Sequence, residues 1–189
     1  MKKLPSLFPA ALLAIPAVHA HLIGGAGLSS GLTHPFGLDH LLAMVAVGVM
    51  SVQLDEQWWR LPAVFVGAML LGGVAAILGL SVPFVETGVA VSVLFFGIAI
   101  ALSVRLKPVW MMLSVGVFAF LHGHAHGTEL PLIASPALYA LGFTITTAFL
   151  HVAGVCTALV ARRYNAVRVL NYAGAAMAFT GLLFIFGMA

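Results

Sequence analysis

From residue 61 to 80 the chain runs for twenty residues without one charged side chain, and stretches of this kind recur along its length. Coiled as a helix at about 1.5 Å per residue, such a run spans the roughly 30 Å hydrocarbon core of a bilayer. Lipid also dictates the coil, because a helix satisfies its backbone N–H and C=O groups without water. Six largely apolar stretches fit, three of them with one charged residue near their start: 34–53, 61–80, 83–103, 109–126, 135–160 and 167–188. Composition agrees. The chain is 62% hydrophobic and 7% charged, whereas a soluble domain carries about 25% charged residues. The expected fold is all-α, a polytopic transmembrane helical bundle of six spans with no sizeable soluble domain.

Residues 1–20 read as a cleavable signal peptide. Lys2 and Lys3 give a positive start, 4–17 a short apolar part, and Val18-His19-Ala20 a small-residue cleavage site. Pro5, Pro9 and Pro16 weigh against a stable span there. Cleavage would leave 21–189 as the membrane domain, with His21 first. Its amine and imidazole together would then form a chelating pair. Residues 21–33 form a Gly/Ser-rich lead into the first span.

Charge orients the bundle. Arg60 follows the first span, Arg105 and Lys107 the third, and Arg162, Arg163 and Arg168 lie around the loop after the fifth. The intervening loops and the two mature ends carry no Lys or Arg. Excess positive charge stays cytoplasmic, so both mature termini face outward, into the periplasm if the membrane is a bacterial inner membrane. Eight scattered Lys and Arg make no basic surface for nucleic acid, and the single Cys156 permits no disulfide or CxxC site.

Polar side chains inside spans are costly and usually functional, and here most are histidine. The fourth span ends in Phe118-Ala-Phe-Leu-His-Gly-His-Ala-His-Gly-Thr-Glu-Leu-Pro131. His122 and His126 stand one turn apart on one face, Glu129 continues that face, and His124 points to roughly the opposite side. The first span opens with His34, Asp39 and His40, where the helix dipole favours an anion. Both groups fall at the outer end. His151 lies deeper, on a stripe in the fifth span with Thr144, Thr147 and Gly154. Imidazole suits Ni, Cu and Zn, while an all-oxygen site would suit Mg, Ca or Mn. The gradient from a dense outer cluster to one deeper ring suggests capture, dehydration and onward passage of a divalent transition-metal ion.

These stretches resemble the HupE/UreJ family of bacterial nickel/cobalt permeases. The likeness rests on His34-Pro-Phe-Gly-Leu-Asp-His-Leu-Leu-Ala-Met44, on Phe118 through Pro131 and, more softly, on Gly142 through His151. It covers essentially the whole chain. The resemblance implies metal-handling roles for His34, Asp39, His40, His122, His126 and Glu129, with His124 at a variable position. It also implies Ni2+ or Co2+ uptake that supplies hydrogenase or urease maturation, with no ATPase subunit. No Walker A motif is present for the chain to hydrolyse ATP itself. On this reading the metal is cargo, no cofactor is tightly bound, and the chain is not an enzyme.

Two other functions use the same residues. An intramembrane zinc hydrolase would hold Zn2+ on His122, His126 and Glu129 with His40 or Asp39, leaving a position for water. A membrane protein that binds or senses metal would hold it without passage.

Overall fold

The computed structural model describes residues 27–54, 57–129 and 135–187. The expected signal peptide and His21 lie outside the described residues. Every regular element among the described residues is helical: α1 (Gly27–Thr33), a 3-10 turn (His34–Phe36), α2 (Leu38–Gln53), α3 (Arg60–Ile77), α4 (Val85–Ala101), α5 (Pro108–Glu129), α6 (Pro136–Arg163) and α7 (Val167–Ile185). Four of these, α3, α5, α6 and α7, are long and apolar enough to cross a membrane. The α1 segment and α2 reach that standard only as a pair bent by 74°, and α4 is apolar with 17 residues. The chain is a multi-pass membrane protein.

The start of the first span departs from the sequence reading. Residues 27–33, read as part of a Gly/Ser-rich lead, form a helix, and a span continuous from residue 34 is broken at Gly37. Pro35 occupies the 3-10 turn. The turn closes where Gly37 N–H donates to the His34 carbonyl at 3.1 Å. Gly37 then leaves helical geometry at φ −53°, ψ 135°, and its carbonyl accepts the first bond of α2 from Leu41 at 2.8 Å. Proline and glycine are the weakest helix formers, so the break falls between them. The short α1 is held from outside, where Thr146 Oγ1 on α6 donates to the Leu32 carbonyl at 2.9 Å.

The helices pack most extensively as pairs: α3 on α5, α4 on α7, and α1 and α2 on α6. Lipid is as apolar as the helix surfaces, so close backbone approach rather than hydrophobic burial selects these pairs. Gly48 of α2 and Gly154 of α6 face each other. A Cβ at Gly48 would meet the His151 carbonyl, and one at Gly154 the Val45 carbonyl. On α5, a Cβ at Gly123 would meet the Met69 carbonyl of α3.

Antiparallel packing collects the basic residues at one end. Arg162 Nη1 at the end of α6 donates to the Val52 carbonyl at the end of α2, 3.2 Å away. Asn171 near the start of α7 donates to the Ala101 carbonyl closing α4, at 2.7 Å. A small cleft joins Ser51, Arg60 and Pro108 at the same level. The starts of α2 and α6 and the end of α5, with their histidines, lie at the opposite end.

Substitution of Gly154 by Leu is expected to force α2 from α6 and to destabilise the protein by about 1–3 kcal/mol, the range for overpacking. Gly67→Ala, whose Cβ meets nothing within 4 Å, is expected to be neutral or to stabilise by up to about 1 kcal/mol. Thermal midpoints in detergent measure both.

Candidate metal centre

The break at Gly37 builds the site. In a straight helix His34 and His40, six residues apart, would point about 120° apart around the axis. The bend turns them toward each other, and their ring centroids stand 5.7 Å apart. The end of α5 inserts His126 between them, its ring 4.4 Å from His34 and 4.4 Å from His40. One ligand nitrogen from each of the three falls within 4.8 Å of the others. Nitrogens bound to one metal at about 2.0–2.1 Å stand about 3.4 Å apart in tetrahedral geometry. The cluster is therefore close to a coordination shell and would need to contract only modestly around an ion. His40 and His126 are buried, while His34 is half-buried and forms the more open member.

Asp39 supports this shell from behind. His40 Nδ1 lies 2.7 Å from Asp39 Oδ1, and the His40 backbone N–H donates to the same oxygen at 2.8 Å. A carboxylate only accepts, so Nδ1 carries the proton and Nε2 keeps its lone pair for a metal. Such a carboxylate–imidazole pair fixes the ring and raises the basicity of the ligating nitrogen. The side chain of Asp39 is 32% exposed, and the charge sits at the first turn of α2, where the helix dipole favours it.

His122 continues the cluster one turn deeper. Its ring lies 5.1 Å from His40. His122 Nδ1–H donates to the Phe118 carbonyl at 2.9 Å, which leaves Nε2 unprotonated and facing the core. His124 turns the other way, as its position on the helix required. Its Nε2–H donates to the Leu80 carbonyl just past α3, at 2.7 Å, so it ties the end of α3 to α5. Thus α5 contributes two rings to the cluster and one to the scaffold. His151 is buried deeper in α6, beyond the Phe65 ring, which lies 5.6 Å from His122 and 5.1 Å from His151.

Glu129 closes α5, with its side chain outside the described residues. Glu86 is exposed at the start of α4.

The sequence reading did not single out the aromatic wall of the site. Phe143 on α6 lies 4.5 Å from His126 and 6.0 Å from His34, and Tyr139 lies 5.8 Å from His34. An apolar cleft between α3, α5 and α6, lined by Met69, Leu70, Gly73, Tyr139 and Phe143, reaches His126 from the side. One available signal was spacing, since Tyr139, Phe143, Thr147 and His151 recur every four residues along α6.

Comparison with known proteins finds relatives along most of the chain. A family model described as HupE / UreJ protein matches residues 8–184. The chain is 39% identical over 181 residues to Protein HupE of Rhizobium leguminosarum bv. viciae, an alignment covering 94% of this chain and 95% of that protein. No solved structure matches. With most of its length matched on both counts, this chain belongs to the HupE/UreJ family.

Proposed function

We propose that this protein is a permease that takes up a divalent transition-metal ion, Ni2+ or Co2+, through the bacterial inner membrane to supply hydrogenase or urease maturation. The observation that carries this reading is the convergence of His34, His40 and His126 from two separate segments of the chain, at the end of the bundle opposite the basic residues. In this reading the basic ends are cytoplasmic, α2 through α7 each cross the membrane, and the histidine cluster faces the periplasm.

In this reading the half-exposed His34 meets the hydrated ion first. His40 and His126 then replace part of its water shell, with Asp39 compensating charge through His40. Three imidazoles leave coordination positions for water, unlike a closed four-ligand structural site. Capture of this kind is strong enough to strip water and weak enough to release. Uptake down a chemical or electrical gradient needs no further energy source.

Radioactive Ni2+ uptake into proteoliposomes, with Co2+ and Zn2+ as competitors, tests the proposal. Saturable uptake that disappears in His126→Ala is expected. Tight Ni2+ binding without uptake would refute transport, and retained zinc with hydrolysis of a peptide or lipid would indicate the enzyme instead. Asp39→Asn keeps the side-chain volume and removes the charge behind His40, and a loss of about 10- to 100-fold in Ni2+ affinity is expected. His124→Ala is expected to retain uptake per folded molecule while lowering the thermal midpoint. The Leu80 carbonyl it abandons represents about 1–3 kcal/mol.

Acid should weaken capture, because a protonated imidazole cannot bind a metal. Uptake is expected to fall as external pH drops from about 7 to about 5, through the ordinary histidine range. A flat rate across that window would contradict capture by imidazoles.

A further inference from the structure

Capture at the outer cluster leaves several buried polar atoms unexplained. His151 is 2% exposed, and neither ring nitrogen has a hydrogen-bond partner. Thr147, one turn earlier on the same face of α6, is fully buried with Oγ1 also unpartnered. His122 Nε2, on α5, is a further such atom. Buried polar groups are bonded in the great majority of cases, and each exception calls for an explanation. Among the described residues such atoms also occur on His40, His124 and Gln53, and those on His122 and His151 share one buried neighbour. Phe65 of α3, fully buried, sets its ring against both His122 and His151. Toward the basic end the core is closed by Val47, Val115, Leu61 and Met111, all buried.

We infer that His151 and Thr147 form a second, transient station for the same divalent cation, reached from His122 by passage of the Phe65 ring. The inference rests on the permease reading. An imidazole nitrogen and a hydroxyl oxygen are neutral donors that would bind a dehydrated transition-metal ion weakly. Conduction requires such weak, successive sites rather than one deep one. The outer cluster, backed by Asp39, holds the ion more strongly. The inner pair has no carboxylate hydrogen-bonded behind it and lets the ion go. Phe65 lies in the layer between them, where its side chain must swing aside for each transfer.

The test uses the purified full chain, with Ni2+ as the probe. Equilibrium Ni2+ binding in detergent and initial Ni2+ uptake in proteoliposomes are compared for the wild type, His151→Ala, Thr147→Val and Phe65→Leu. In His151→Ala, unchanged outer-site affinity is expected with uptake slowed by about tenfold or more, the scale of losing a group that holds a charge. Thr147→Val is expected to slow uptake less. Phe65→Leu is expected to raise the rate at unchanged affinity. Wild-type uptake by His151→Ala would overturn the inner station, and so would loss of its outer-site binding, which would mark the ring as structural. An unchanged or lower rate in Phe65→Leu would overturn the barrier. Failure of the wild-type chain to carry Ni2+ would overturn the permease reading itself, and this inference with it.

Discussion

An imidazole at membrane depth has no water to bond, so each buried ring must find its partners in the protein or in something the protein binds. Three rings in the structure meet this demand inside the protein. His124 meets the Leu80 carbonyl, and His122 and His40 each spend Nδ1–H on an oxygen, from Phe118 and Asp39. Those bonds set the tautomers, and the remaining Nε2 atoms of His40 and His122 are left as lone pairs in the core. Each unmet bond costs about 1–3 kcal/mol, a penalty that a bound cation would relieve under the proposed function. Under the proposed function these lone pairs would meet a positively charged guest, and His151 would extend the same arrangement inward.

Bringing those rings together depends on backbone shape as much as on side chains. Two segments of the chain meet at the cluster, and one is bent by 74° at its break. Without the turn around Pro35 and Gly37, His34 and His40 would project from different sides of one helix. The Gly48–Gly154 contact holds α2 close against α6, which carries Phe143 and Tyr139 to the cluster and His151 to the level below it. Small residues therefore determine the distances over which the polar ones act.

Much of this was legible along the chain. Apolar runs of near-bilayer length pointed to helices, because backbone groups in lipid have no other way to be satisfied. Basic loops predicted which ends would gather, and the Arg162–Val52 and Asn171–Ala101 bonds show them gathered. The i, i+4 spacing placed His122 and His126 on one face and His124 on another, since helical geometry fixes directions within one element. Motifs around His40 and His126 carried the family.

Tertiary structure alone decided the rest. Spacing within a helix says nothing about which ring of another helix it will meet, so the trio of His34, His40 and His126 came only from packing. A helix opening at Pro35 was the natural reading of an apolar span; instead Pro35 lies in a 3-10 turn between α2 and a short α1 that Thr146 of α6 bonds. Phe65 was invisible for a physical reason. In water, hydrophobic periodicity separates inside from outside, but in lipid both faces of a helix are apolar. Phe65 is fully buried and Leu71 of the same helix is 67% exposed, yet nothing in the composition of their span tells them apart.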